Sequence, residues 1–194
     1  GPATGLPTRT EQGELEFAIY AGHGMFPRAV FAPRTVEDAF KLTVRAFNVA
    51  ERFQVPVIIL TDTFLSDSYV SVPPFDLTEI RIDRGELLSD IELHTLGKYA
   101  YKRHKLTKNG ISPRVFPGHP YALVGTDSDE HTEEGHITES AEVREQMVKK
   151  RLKKLELLRQ EIQAPFTSGP KDAEIVFVCW GSSFGAVKEA LQKI

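Results

Sequence analysis

Four stretches carry residue types that can do chemistry. The first is the opening loop, Gly1-Pro2-Ala3-Thr4-Gly5-Leu6-Pro7-Thr8. Its glycines and prolines exclude a regular helix or an interior strand and leave a shaped loop. Thr8 with Glu11 three residues on forms a capping box, so the loop runs into a helix N-terminus. Free backbone N–H groups collect at such a junction and suit an anionic ligand. A surface turn ahead of an amphipathic helix accounts for the same residues. The second is His23 between Gly22 and Gly24, placed either to meet a ligand or simply in a helix-terminating loop. The third is Asp62 in Thr61-Asp62-Thr63, where it either serves a ligand or caps the next turn. The fourth is Asp127-Ser128-Asp129-Glu130-His131-Thr132-Glu133-Glu134-Gly135-His136. Its side chains are metal-ligand types, but the spacing is neither HExxH nor an EF-hand loop, and a structural loop is expected.

The elements that must position these residues follow from periodicity. A first helix is expected from about Thr10 to Tyr20, with Leu15, Ala18 and Ile19 as its apolar stripe. Ala29-Val30-Phe31-Ala32 reads as a short buried strand ended by Pro33. Thr35 and Asp38 start a helix that runs to about Phe53, with Val36, Phe40, Val44 and Phe47 along one face. Val55 to Leu60 is a second buried strand. Strand, helix, strand at this spacing is a βαβ unit with parallel strands and a right-handed crossover. Asp62 then falls at the C-terminal end of the second strand, where open α/β sheets gather ligands.

From about Ser66 to Gly118 the pattern weakens, and residues 77 to 93 read as a β-arm or a long excursion. Lys102, Arg103, His104, Lys105 and Lys108 form a basic segment beside Tyr99 and Tyr101, expected to be solvated or to contact another subunit. Tyr121 to Val124 is a candidate short strand. Ser140 to Gln163 is the clearest long helix, with Val143, Met147, Leu152, Leu155 and Leu158 on an apolar side. Its lysines, Lys149, Lys150, Lys153 and Lys154, are expected on a solvated face. Ala164 to Asp172 reads as a linker. Glu174 to Gly185 reads as strand, glycine turn and helix start. One strand and one helix make no core, so an incomplete second domain is expected.

Bulk properties narrow the classes. The chain has 194 residues, 41% hydrophobic and 26% charged, with a formal net charge of -3. These values suit a globular domain and give no electrostatic reason to expect a nucleic-acid partner. No apolar run approaches the length of a membrane span. Cys179 is the single cysteine. It cannot form an internal disulfide or a four-thiolate cluster site, so a reducing cytoplasmic setting and a buried, inert thiol are expected.

The opening loop resembles the GPSTGLPT stretch of the alpha subunit of 2-oxoacid:ferredoxin oxidoreductases, above all the 2-oxoglutarate type. Phe26-Pro27-Arg28, Pro56-Val57-Ile58-Ile59-Leu60-Thr61-Asp62, Gly110-Ile111-Ser112-Pro113-Arg114, Gly135-His136-Ile137-Thr138-Glu139 and Trp180-Gly181-Ser182-Ser183-Phe184-Gly185 follow in family order. Ala3 departs from the pattern, which carries serine there. The resemblance implies an α/β fold in three parts. Residues 1–139 would be the later part of a pyrimidine-side thiamine-diphosphate-binding domain, and 140–172 a connecting helix and linker. Residues 173–194 would begin a transketolase C-terminal-like domain.

The reaction implied is oxidative decarboxylation of a 2-oxoacid to its acyl-CoA with reduction of ferredoxin. Thiamine diphosphate with Mg2+ and a [4Fe-4S] cluster would lie mainly on a partner beta subunit, coenzyme A would be co-substrate, and this chain alone would be inactive. By position, Thr4, Gly5, Leu6, Pro7 and Thr8 would line the substrate end of the site. His23 and Asp62 are further candidates, and no metal ligand is assigned. A non-catalytic scaffold subunit and a pyruvate- or indolepyruvate-type enzyme are the alternatives.

Overall fold

The computed structural model describes residues 13–193. The candidate loop Thr4–Thr8 and the start of the first helix lie outside the described residues.

The first described helix, α1, spans Glu14–Tyr20. Ala18 is its one buried residue; Leu15 is half-buried, and Ile19, expected in the stripe, is exposed along with Phe17 and Tyr20. Arg28 closes the helix by donating from Nη1 to the carbonyls of Ala18 and Ala21 while its guanidinium lies over the Phe26 ring. A cation at a helix C-terminus satisfies carbonyls that have no intrahelical donor. The bend at Gly22–Gly24 between α1 and Arg28 holds His23 in solvent.

Strand β1 (Ala29–Phe31) and strand β2 (Val57–Ile59) pair in parallel, Ala29 opposite Val57 and Phe31 opposite Ile59. Helix α2 (Val36–Phe53) lies between them in sequence. Its start is set as expected: the Thr35 hydroxyl accepts from the Asp38 backbone N–H at 3.2 Å. Thr35→Ala is predicted to cost about 1 kcal/mol, read as a lowered urea midpoint at unchanged slope.

The buried stripe of α2 differs from expectation. Ala46, Val49 and Phe53 face the core, with Leu42 beside them, whereas Phe47 is exposed and Phe40 stacks on Phe75 at 4.1 Å. The two stripes are neighbours on the helix, and the one with small residues lets the backbone approach the strands. With Ala29, Phe31, Val55, Ile111 and Leu158 these side chains form the main core.

After β2 come α3 (Thr63–Asp67), a single 3-10 turn (Leu77–Glu79) and α4 (Asp90–Leu96). No β-arm forms there among the described residues. Helix α4 begins with a full capping box between Ser89 and Glu92, and its Leu93 is completely buried against Tyr101, Val115 and Ala122 in a second core. Tyr121 to Val124 is not a strand. Ala122 donates to the His119 carbonyl in a turn and Leu123 to the distant Lys98 carbonyl, so this run is held by one turn and one long-range bond.

Helix α5 (Ala141–Glu161) is capped by Ser140, whose hydroxyl accepts from the Val143 N–H. Its buried face is Met147, Lys150, Lys154 and Leu158, which overturns the solvated reading of two lysines. Val143, Leu152 and Leu155 are only half-buried. Helix α6 covers Ser183–Lys193. The run ahead of it, Glu174–Cys179, has no strand partner among the described residues. Ile175 is 75% exposed and Val178 94% exposed. Strand propensity alone makes no ladder. Cys179, expected buried, is half-exposed.

Candidate functional site

The C-terminal ends of β1 and β2 are the natural place to look for a ligand in a parallel sheet. Asp62 stands there, and its two carboxylate oxygens are both engaged. Oδ1 accepts from the backbone N–H of Leu65 at 2.8 Å and so caps α3. Oδ2 accepts from the backbone N–H of Ser182 at 3.0 Å, across 120 residues of sequence. Burial pushes the Asp62 carboxyl up, but the backbone donors of Leu65 and Ser182 outweigh it and hold the group below the usual carboxylate range. Of the two readings weighed for Asp62, capping is the one the geometry fills.

The turn Trp180-Gly181-Ser182 lies over this edge. A Cβ built on Gly181 would come within 3.1 Å of Asp62 Oδ2 and 3.9 Å of the Pro33 carbonyl. Ser183 donates from its hydroxyl to the Trp180 carbonyl at 2.6 Å. Arg34, just after β1, places its guanidinium 5.1 Å from the Phe184 ring centre. The strand ends, Asp62 and the N-terminal turn of α6 therefore form one packed junction. Sequence reasoning found Asp62 and the glycine turn separately, and no local signal joined them.

The acidic loop proves to be a docking segment. Glu130 takes both guanidinium nitrogens of Arg151 at 3.0 and 2.9 Å, with Arg144 at 3.5 Å. Glu133 accepts from Lys102 at 2.9 Å and from the Leu106 N–H at 2.7 Å; Glu134 lies 3.0 Å from Lys102. Its carboxylates thus face the basic segment and α5. His131 and His104 pack ring on ring at 4.0 Å. Burial first, then the neighbouring His131, lowers the His104 pKa to about 3, so His104 is neutral near pH 7. His136 lies at the end of the same loop, and the backbone N–H of Thr132 donates to its carbonyl. Among the described residues no three His, Cys, Asp or Glu side chains are grouped to hold a metal ion.

The basic segment is largely absorbed by this packing rather than solvated. Arg103 donates to the Gln54 side-chain oxygen at 3.1 Å. Gln54 itself ends α2 in the left-handed region and donates from Nε2 to the Ser112 carbonyl. No helix among the described residues is long and apolar enough to cross a membrane.

Residues 1–150 match the model of a family described as pyruvate flavodoxin/ferredoxin oxidoreductase, thiamine diphosphate-binding. The whole chain is 40% identical to the alpha subunit of 2-oxoacid:ferredoxin oxidoreductase 1 of Sulfurisphaera tokodaii, of which it covers 30%. It is 29% identical to the 2-oxoglutarate synthase subunit KorA of Methanocaldococcus jannaschii and covers half of it. Its structure matches a 2-oxoglutarate:ferredoxin oxidoreductase of Magnetococcus marinus with a TM-score of 0.85 and 34% identity, over all of this chain and 33% of that one. That structure has 2-oxoglutarate, coenzyme A and succinyl-CoA bound. The chain therefore spans between about a third and a half of the relatives it matches.

Proposed function

The chain belongs to the pyruvate flavodoxin/ferredoxin oxidoreductase family of thiamine-diphosphate-binding domains, and from that premise we propose that it is part of the alpha subunit of a 2-oxoacid:ferredoxin oxidoreductase acting on 2-oxoglutarate. The observation that carries this reading is the structural match at 34% identity to an enzyme with 2-oxoglutarate bound. In the proposed reaction the 2-oxoacid loses carbon dioxide, its acyl group passes to coenzyme A, and two electrons leave singly for ferredoxin. Residues 1–139 belong to the pyrimidine-side domain, and 173–194 open the next one.

Thiamine diphosphate supplies the carbanion chemistry when bound. Asp62 serves as a cap, with both oxygens accepting backbone N–H groups, and is given no part in holding the metal-diphosphate end. The diphosphate, its Mg2+ and a [4Fe-4S] cluster are assigned to a beta subunit. This chain's contribution is the loop Thr4-Gly5-Leu6-Pro7-Thr8. The hydroxyls of Thr4 and Thr8 and nearby backbone N–H groups bind and orient the substrate carboxylate. His23, exposed beyond α1, is a secondary candidate for the same task.

The test uses the full-length alpha subunit purified with its beta partner. Coenzyme A-dependent viologen reduction is followed with 2-oxoglutarate, pyruvate and a branched-chain 2-oxoacid, with and without thiamine diphosphate. Thiamine-dependent turnover favouring 2-oxoglutarate is expected. Preference for another acid replaces the substrate and keeps the chemistry; no turnover by a fully loaded complex supports a scaffold. Thr4→Val is predicted to lower kcat/KM about tenfold or more, the loss of a hydrogen bond to a charged group. Unchanged kinetics would remove this loop from the substrate site.

A further inference from the structure

We propose that Asp62 is a latch that holds the Trp180–Phe184 turn, and with it α6, against the C-terminal ends of β1 and β2. Between α5 and the turn, residues 163–178 are exposed and contain no regular secondary structure. Pro165, Gly169 and Pro170 lie within that stretch. Such a tether restrains distance but not orientation.

Orientation must then come from contacts at the far end. Among the described residues these converge on one point. Asp62 Oδ2 accepts the Ser182 N–H at 3.0 Å. Gly181, at a φ of +63°, brings the backbone close enough that an added Cβ would stand 3.1 Å from the same oxygen. Phe184 completes the seat under the guanidinium of Arg34, which lies 5.1 Å from its ring centre.

The carboxylate is suited to both tasks. Oδ1 satisfies an orphan donor at the start of α3, and Oδ2 satisfies one just ahead of α6. A negative charge is favoured near both helix N-termini. The Leu65 and Ser182 donors lie on opposite oxygens, so one rigid side chain fixes two elements from the end of β2. An asparagine at this position keeps one acceptor oxygen and presents N–H donors at the other. It can cap α3 or receive Ser182, but not both.

This inference rests on the geometry and is independent of the substrate. Hydrogen–deuterium exchange is measured on the full-length subunit assembled with its partner, comparing wild type, Asp62→Asn and Gly181→Ala. Exchange in peptides covering 180–188 is expected to accelerate about tenfold or more in both variants, as local opening no longer breaks a charge-assisted hydrogen bond. The α2 peptide 36–53 is expected to stay at the wild-type rate. The double variant should exchange no faster than about twice either single variant, because both changes open one contact. Unchanged exchange over 180–188 in Asp62→Asn overturns the latch. So does acceleration confined to α3, which would leave Asp62 a local cap, or equal acceleration in α2, which would make it a general stabiliser. The readout needs no turnover, so a failed substrate assignment leaves it intact.

Discussion

Gly135→Ala is expected to destabilise the protein by about 3–5 kcal/mol, a cost built from two additive sources. The first is backbone conformation. Gly135 has a φ of +93°, a region that a residue with a Cβ enters only under strain. The second is contact with backbone that has no flexible end to move aside. An added Cβ would collide with the Gly125 carbonyl and stand 2.8 Å from the Thr126 nitrogen. Gly125 in turn lies close to the Glu134 carbonyl, so two glycines let two segments of loop pack backbone on backbone. Relief would require the loop to withdraw, and Glu133 holds it in place through Lys102, the Leu106 N–H and the His104 N–H. Gly97→Ala separates the terms. Gly97 has a φ of +87° but open space around its Cβ position, so its cost is about 1–2 kcal/mol from strain alone. Urea midpoints of the two variants provide the comparison. Equal losses would show that the loop at Gly135 yields and that the close approach carries no energy.

What could be read from the sequence was local. Thr35 was legible as a helix start and Asp62 as one of two things, a cap or a ligand group, because a cap acts over three residues. The parallel pair was legible because two short apolar runs flank one long helix. What failed depended on partners far along the chain. Phe47 and Val49 are both apolar, and only the packing of α2 against β1 and β2 chooses Val49 for the core. The run Ile175–Val178 has strand composition, but pairing belongs to a neighbour and not to the run itself. Asp62 was identified at a strand end, yet its second bond reaches Ser182 and no local pattern encodes it. The proposed substrate loop, Thr4–Thr8, rests on family resemblance and lies outside the described residues. Its residue types alone fit a plain turn somewhat better than an anion loop. Lys150 and Lys154 were misread for a further reason. Hydropathy counts a lysine as solvated and takes no account of carbonyls waiting at the other side.

Those two lysines carry the second large effect. Unfolding is expected to become less favourable by about 5 kcal/mol as pH rises from 7 to 9.5, and Lys150→Met with Lys154→Met together should abolish most of that rise. Lys150 is 7% exposed and donates to the His104 carbonyl at 2.8 Å; Lys154 is 8% exposed and donates to the Gln54 carbonyl at 2.8 Å. Each therefore meets a carbonyl and not a carboxylate. Burial, then the charges of Lys154, Arg103 and Arg151, lowers the Lys150 pKa to about 7, against a weaker opposing pull from Glu133. Burial, then Arg103 and Arg151, lowers Lys154 to about 8.

The unfolded chain keeps both lysines protonated up to their ordinary value near 10.5, while the folded chain releases those protons from about pH 7 upward. Across that window the unfolded state binds more protons, so stability rises with pH. Below it the desolvation penalty is present in full. The upper limit of the experiment is set by Tyr101, which burial pushes up and which reverses the trend above about pH 10. The single variant Lys150→Met gives a sharper result than the slope. Near pH 6.5 it removes a buried charge whose desolvation is imperfectly compensated, so it should be about 1–2 kcal/mol more stable than wild type. At pH 9.5 the native lysine is an uncharged donor. Methionine then only deprives the His104 carbonyl of its partner, at a cost of about 1–2 kcal/mol. A variant equally stable relative to wild type at both values would mean that Lys150 stays protonated in the folded protein, held by water reaching α5.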